Sequence, residues 1–378
     1  MKKMVVLIFI MLFAFPMTVN ATETENPTEV QQELFDKFDF TEIDKMLSGM
    51  FPEEKLGLSD LITGLISGDM DFSFELIKKL VVDQFSYELR TSRSGLIHVL
   101  LLVIISAIFA NFSSFFKSSQ VAEISFSMLY MLLITICLNN FRVLVDAAAT
   151  NLSQLLEFME VLGPIYFFAV AMATGSSTSI SFYQLILLLI LLVEMLILNF
   201  LIPFVQIYLM IRILSEFSSE IHLSKFADFI ETVVSWSLKT LLAIVMGINL
   251  VQGLLTPAID SVKRSFLVKG GEALPVIGDA IGGATEIVLG TALLIKNGIG
   301  VAGMIVCLII SLAPMIQMAV TTLMYQMIAA LIQPISDKRM VNCVSSMADS
   351  VKLLLKIVVT SSVLFMITLA VVATTTGG

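Results

Sequence analysis

Pro203-Phe204-Val205-Gln206 lies inside one long apolar run of this chain, Ile180 to Leu214, and Pro314-Met315-Ile316-Gln317 lies inside another, Asn297 to Ser336. The first run has only Glu194 and Arg212 as charges, and the second has none. Such runs are membrane segments, and about 40 helical residues would reach some 60 Å, twice the hydrocarbon thickness. One straight crossing is therefore not expected; two crossings with a tight bend, or one crossing and a broken half-helix, both fit. Proline lacks the backbone N–H and clashes with the preceding turn. Helix breaks are expected near Pro203 and Pro314, with Gln206 and Gln317 placed to satisfy freed carbonyls or to face a partner helix.

The two Pro-x-x-Gln motifs are 111 residues apart, and other matches keep nearly the same offset. Leu162-Gly163-Pro164-Ile165 is answered loosely by Ala273-Leu274-Pro275-Val276. Ser237-Leu238-Lys239-Thr240-Leu241-Leu242 is answered by Ser350-Val351-Lys352-Leu353-Leu354-Leu355, 113 residues on. This reads as an internal duplication of a kind used by many membrane transport folds. The competing reading is that leucine-rich helices imitate one another. Lys239 and Lys352, near the starts of two closing spans (237–255 and 351–373), are expected to be interfacial anchors that snorkel to the membrane surface.

Composition supports an all-α, polytopic helical membrane protein. The chain is 57% hydrophobic and 14% charged, against about 25% charged in soluble domains. Its 378 residues have room for about six to eight spans. Cys137, Cys307 and Cys343 lie in or beside apolar helices without CxxC or Cys/His spacing, which suggests buried thiols and no disulfide framework or zinc site. Between Thr22 and Ser94 there are 16 Asp and Glu against 7 Lys and Arg, the whole of the net charge of -9. Nothing basic is offered to a nucleic acid.

Lys2 and Lys3, the apolar stretch Met4 to Phe15 and the small residues up to Ala21 form a signal peptide with cleavage after Ala21, the alternative being an uncleaved anchor. The expected organisation is a signal peptide (1–21), an exported acidic segment of amphipathic helices (22–95), a first transmembrane pair (96–138), two repeat units (139–250 and 251–373) and a tail (374–378). In the exported segment, Phe35, Phe38, Phe40, Ile43, Met46 and Leu47 recur at helical spacing, and Phe72 to Leu89 repeats the pattern with Phe74, Leu76, Ile77, Leu80, Val81 and Phe85. Turns are expected at Gly57-Leu58-Ser59-Asp60 and at Gly68-Asp69. This segment is too small to be secure alone and should lean on the membrane surface or a partner. The loop with Asp337, Lys338 and Arg339 is expected to be cytoplasmic, and the tail outside.

Few residues offer chemistry. The histidines, His98 and His222, are far apart, and no GxSxG, P-loop, HExxH or paired acidic motif occurs. No catalytic residue, metal site or cofactor is expected. Gly270, Gly271, Gly278, Gly282, Gly283 and Gly290, like Gly298, Gly300 and Gly303, fit either close helix packing or a re-entrant loop lining a cavity. Glu194 is the candidate membrane-embedded ionisable residue. A carboxylate at that depth is a functional proton or cation site, a neutral or hydrogen-bonded packing residue, or an interfacial one.

Val251-Gln252-Gly253, Leu274-Pro275-Val276-Ile277-Gly278, Ala284-Thr285, Leu293-Leu294-Ile295-Lys296-Asn297 and Leu331-Ile332-Gln333-Pro334, with Cys343 downstream, resemble the stage III sporulation protein AE family of endospore-forming bacteria. The resemblance covers essentially the whole chain and is most specific between Val251 and Cys343. It implies a non-enzymatic membrane subunit of a channel or secretion-like complex between mother cell and forespore, supporting late forespore development. It implies a place in the mother-cell membrane around the forespore, with residues 22–95 facing the space between the membranes. The implied partners are a cytoplasmic secretion-type ATPase, ring-forming proteins, a forespore-membrane protein and the lipid bilayer. From the duplicated core alone, a stand-alone secondary transporter or permease is the alternative.

Overall fold

The computed structural model describes residues 38–50, 57–66, 70–113, 119–174, 188–217, 223–271 and 278–374. The cleavage site at Ala21, Pro275, His222 and the tail from 375 onward lie outside them. Every described element is helical.

Two short helices begin the described chain. Phe38, Phe40, Ile43 and Leu47 bury one side of α1 (Thr41–Met50). Asp39 accepts a hydrogen bond from the Thr41 N–H at 3.0 Å, and the Thr41 side chain and backbone together hold its carboxyl below the ordinary value. Helix α2 (Leu58–Ile66) starts where a turn was expected. The reason lies on α1: the Asp44 carboxylate accepts from the Leu58 N–H at 2.6 Å and from the Ser59 hydroxyl at 3.0 Å. These bonds satisfy a donor that a helix start leaves open.

The longer helices run through several expected boundaries. Helix α3 (Met70–Ser113) joins the amphipathic stretch to the first expected span, and α4 (Ser119–Thr174) joins the second span to the polar stretch that follows it. Then come α5 (Leu188–Phe217), α6 (Ser224–Gly271), α7 (Gly278–Ile332) and α8 (Lys338–Thr374). Among the described residues, five segments are long and apolar enough to cross a membrane: Glu123–Ala173, Leu188–Phe217, Ser224–Ile248, Gly290–Ile332 and Lys338–Ala373.

The expected helix breaks are corrected at both prolines. Pro314 lies inside α7, which continues unbroken. Pro203 follows a π-helical turn, Ile197–Leu201, in which the Ile202 N–H bonds the Ile197 carbonyl, and the helix then goes on. A wider turn is one way for a helix to absorb a proline without ending. The argument from length fails for the same continuous helix, since the 55 residues of α7 extend about 80 Å. Much of its apolar surface is covered by protein along its length rather than by lipid, including by α1 and α2 at one end. The internal duplication is not shown, and its paired prolines sit in different local structure.

Side-chain contacts fix the directions of the helices. Asn140 on α4 meets Tyr325 on α7, and Asn151 meets the Ile310 carbonyl, so α4 and α7 are antiparallel. Ser362 on α8 meets Ser311 on α7, and Ala373 lies against Gly300, so α8 runs parallel to α4. One core cluster gathers the α1 and α2 side chains with Leu155, Leu162, Ile299 and Leu369. The other gathers Tyr130, Cys137, Tyr208, Tyr325 and Cys343. The segment expected to lean on a membrane surface or a partner thus packs on this chain's own α4 and α7. It shares an end of the bundle with the C-terminus of α8, while Asp337, Lys338 and Arg339 lie at the opposite end. Leu191, Met195, Phe200, Phe229 and Trp236 on α5 and α6 face outward, as lipid-facing side chains would.

Candidate functional site

Glu194 lies in α5, one turn before the π-helical turn. It is 4% exposed, and neither carboxylate oxygen has a hydrogen-bond partner among the described residues. Ile190, Val193, Val245, Leu364 and Phe365 surround it together with the hydroxyl-bearing Ser361 and Thr368, around a cavity of about 10 Å³. That is room for roughly one water or one small cation. Glu160 of α4 is close enough to act on Glu194 electrostatically. An unpaired buried carboxylate is costly. The chemistry open to it is to hold a proton or a small cation, not to attack a substrate. The hydrogen-bonded packing role considered for Glu194 is not what the geometry gives.

A second polar group sits deeper in the bundle. Pro314 has no N–H for the carbonyl of Ile310, four residues earlier. The Asn151 Nδ2 donates to that carbonyl at 3.1 Å. The Asn151 side chain therefore performs the task expected of Gln317, three residues after the proline. Gln317 is half-buried and Gln206 exposed, and neither makes a hydrogen bond among the described residues. Next to this contact, the Ser362 hydroxyl bonds the Ser311 hydroxyl at 2.6 Å, linking α8 to α7. Ser311 in turn donates to the Cys307 carbonyl at 2.9 Å. The Asn151 Oδ1 is buried without a partner.

A third group lies toward the other end. The Tyr130 hydroxyl donates to the Ile213 carbonyl at 3.2 Å, and the Cys137 thiol lies against Cys343. Arg212 pairs with Asp228 at 2.6 Å and bonds Tyr208. Asn342 donates to Glu216 at 2.7 Å, and the Arg339 guanidinium lies 4.0 Å from the Phe126 ring. These contacts tie α4, α5, α6 and α8 together. All three cysteines are buried and free.

The remaining expected residues separate. Lys239 is exposed and Lys352 half-buried, and both lie well inside continuous helices rather than at a helix start. Lys296, at the edge of the apolar run, is fully buried. Gly300 and Gly303 are packing positions, where an added Cβ would come 2.7 Å from the Tyr166 hydroxyl and 2.9 Å from Leu162. No group of His, Cys, Asp and Glu able to hold a metal occurs among the described residues. Sequence reading isolated Glu194 but missed Asn151, Ser311 and Ser362. The signal for Asn151 was there: it is the one amide on the apolar stripe Leu144, Ala148, Leu152, Leu155.

Comparison with known proteins adds a family. A family model described as Stage III sporulation protein AE matches residues 56–376. Stage III sporulation protein AE of Bacillus subtilis (strain 168) is 25% identical over 367 residues, covering 94% of this chain and 91% of that protein. No solved structure matches.

Proposed function

The chain belongs to the stage III sporulation protein AE family, and on that premise we propose that it is a non-enzymatic integral membrane subunit of a complex joining mother cell and forespore. The observation that carries this reading is the extent of the match. It begins before α2 and runs past the end of α8, so it takes in every described helix except α1 and is not confined to one module. The geometry agrees with a scaffold. Polar side chains in the interior join helix to helix, as Asn151, Ser311 and Ser362 do. Its place would be the mother-cell membrane around the forespore, with α1 and α2 facing the space between the membranes. Its partners would be a cytoplasmic secretion-type ATPase, ring-forming proteins and a forespore-membrane protein.

The stand-alone permease is less favoured, because the internal duplication it rests on is not shown and the helix around Pro314 is continuous. The test is a deletion strain carrying a fluorescent fusion of the chain. Expected is signal on the membrane engulfing the forespore, with late forespore gene expression lost on deletion and restored by the fusion. Uniform distribution in the membrane, with forespore expression intact after deletion, overturns the proposal.

A further inference from the structure

Helix α4 has an exposed polar stripe in its middle: Asn139, Arg142, Asp146, Thr150, Ser153, Glu157 and Glu160, spaced three or four residues apart. It covers about 32 Å of helix inside a segment apolar enough to span a membrane. Lipid is a poor environment for such a stripe. Helix α8, buried over most of its surface, opens outward along a second stripe that includes Asp349, Lys352 and Lys356. Arg142, Asp146, Asp349, Lys352 and Lys356 have no hydrogen-bond or ion-pair partner among the described residues.

The contact between Cys137 and Cys343 relates the two stripes. Asp146 is nine residues after Cys137, and Lys352 is nine residues after Cys343. Nine residues at 3.6 per turn are about two and a half turns, so each charge is on the side of its helix away from the contact. The helices run parallel, so both charges advance by the same distance. Asp146 and Lys352 are therefore level in the bundle and face outward on opposite sides of the molecule. The same offset puts Thr150 level with Lys356 and Arg142 within one residue of Asp349.

We propose that this face is where a second copy of the chain docks, head to tail, the α4 stripe of one copy against the α8 stripe of the next. Copies side by side in one membrane meet at matched depth. Asp146 then meets Lys352, and Arg142 meets Asp349, which pairs the charges of the two stripes. Opposite faces make the interface heterologous, so the copies form a ring if the rotation closes. This does not depend on which other proteins join the assembly, and it can fail while the sporulation role stands.

The test uses the full chain in membranes with Asp146→Cys and Lys352→Cys, the three native cysteines being buried. Oxidation is expected to give a ladder of dimers and larger multimers when both changes are in one chain, and dimers only when they are in separate co-expressed chains. Asp146→Lys should lose the multimers of the otherwise unmodified chain, and Asp146→Lys with Lys352→Asp should regain them. A doubly substituted chain that stays monomeric, or one that crosslinks only to a different protein, overturns the proposal. So does Asp146→Cys alone dimerising as well as the pair. Should a variant not fold, the unmodified chain in lipid nanodiscs decides by mass: more than one copy per particle is expected, and a single copy contradicts the interface.

Discussion

Asn151 and Pro314 form the most testable residue pair in the bundle. If Asn151 serves the carbonyl that Pro314 leaves without a donor, Asn151→Ala should lower stability by about 1–3 kcal/mol. In a Pro314→Ala background the restored N–H takes over, and the same Asn151→Ala change should cost clearly less, as thermal unfolding of the four proteins in detergent would show. Equal losses in both backgrounds would mean that the two positions act independently. Glu194 differs, because none of the described residues is hydrogen-bonded to it. Glu194→Gln removes a buried, unpaired charge and is expected to leave the melting temperature unchanged or raised. A large fall would show that the carboxylate has a partner essential for folding. The ionisable residue was legible in the sequence because a lone Glu in a run of Leu and Met is conspicuous. Asn151 was not, because its partner is a backbone carbonyl far along the chain and the Pro-x-x-Gln pattern drew attention to the wrong amide.

At the scale of elements, the joints are short and specific. Asp44 of α1 caps α2, so Asp44→Ala should cost about 1 kcal/mol and speed amide exchange in Leu58 to Leu61, while α7 stays protected. The three-helix contact of α4, α7 and α8 depends on small residues. Gly300→Ala would press on Tyr166 and Ala373 and should cost about 1–3 kcal/mol by overpacking. Gly290→Ala meets nothing within 4 Å and should be neutral or slightly stabilising in the same unfolding assay. The helical period around Phe38 was legible, as were the helix at Phe72 to Leu89 and most of the apolar spans. The boundaries between them were not. Amphipathic and apolar stretches read as separate elements because their outer faces differ, yet the backbone of α3 or α4 does not change where the face does. Prolines were over-read in the same way. A proline's cost is local, and a π-helical turn at Pro203 or the side-chain donor near Pro314 absorbs it.

At the scale of the molecule, a long bundle carries two small acidic helices on one end and charged side chains around the turn at the other. Composition made the membrane class legible, and the family was legible from motifs between Val251 and Cys343. The docking of α1 and α2 was not, since their apolar faces fit a membrane surface as well as α4 and α7. The outward stripes on α4 and α8 show their relation only once the Cys137–Cys343 contact sets the two helices in register. An outward polar stripe on α4, a core joined by side-chain hydrogen bonds and a family match over nearly the whole chain all point to a part of a larger assembly. Affinity isolation of a tagged chain from sporulating cells in mild detergent tests this most directly. The expected result is a particle far larger than the 41.5 kDa chain that contains other sporulation membrane proteins. A lone chain competent for uptake by itself would contradict it.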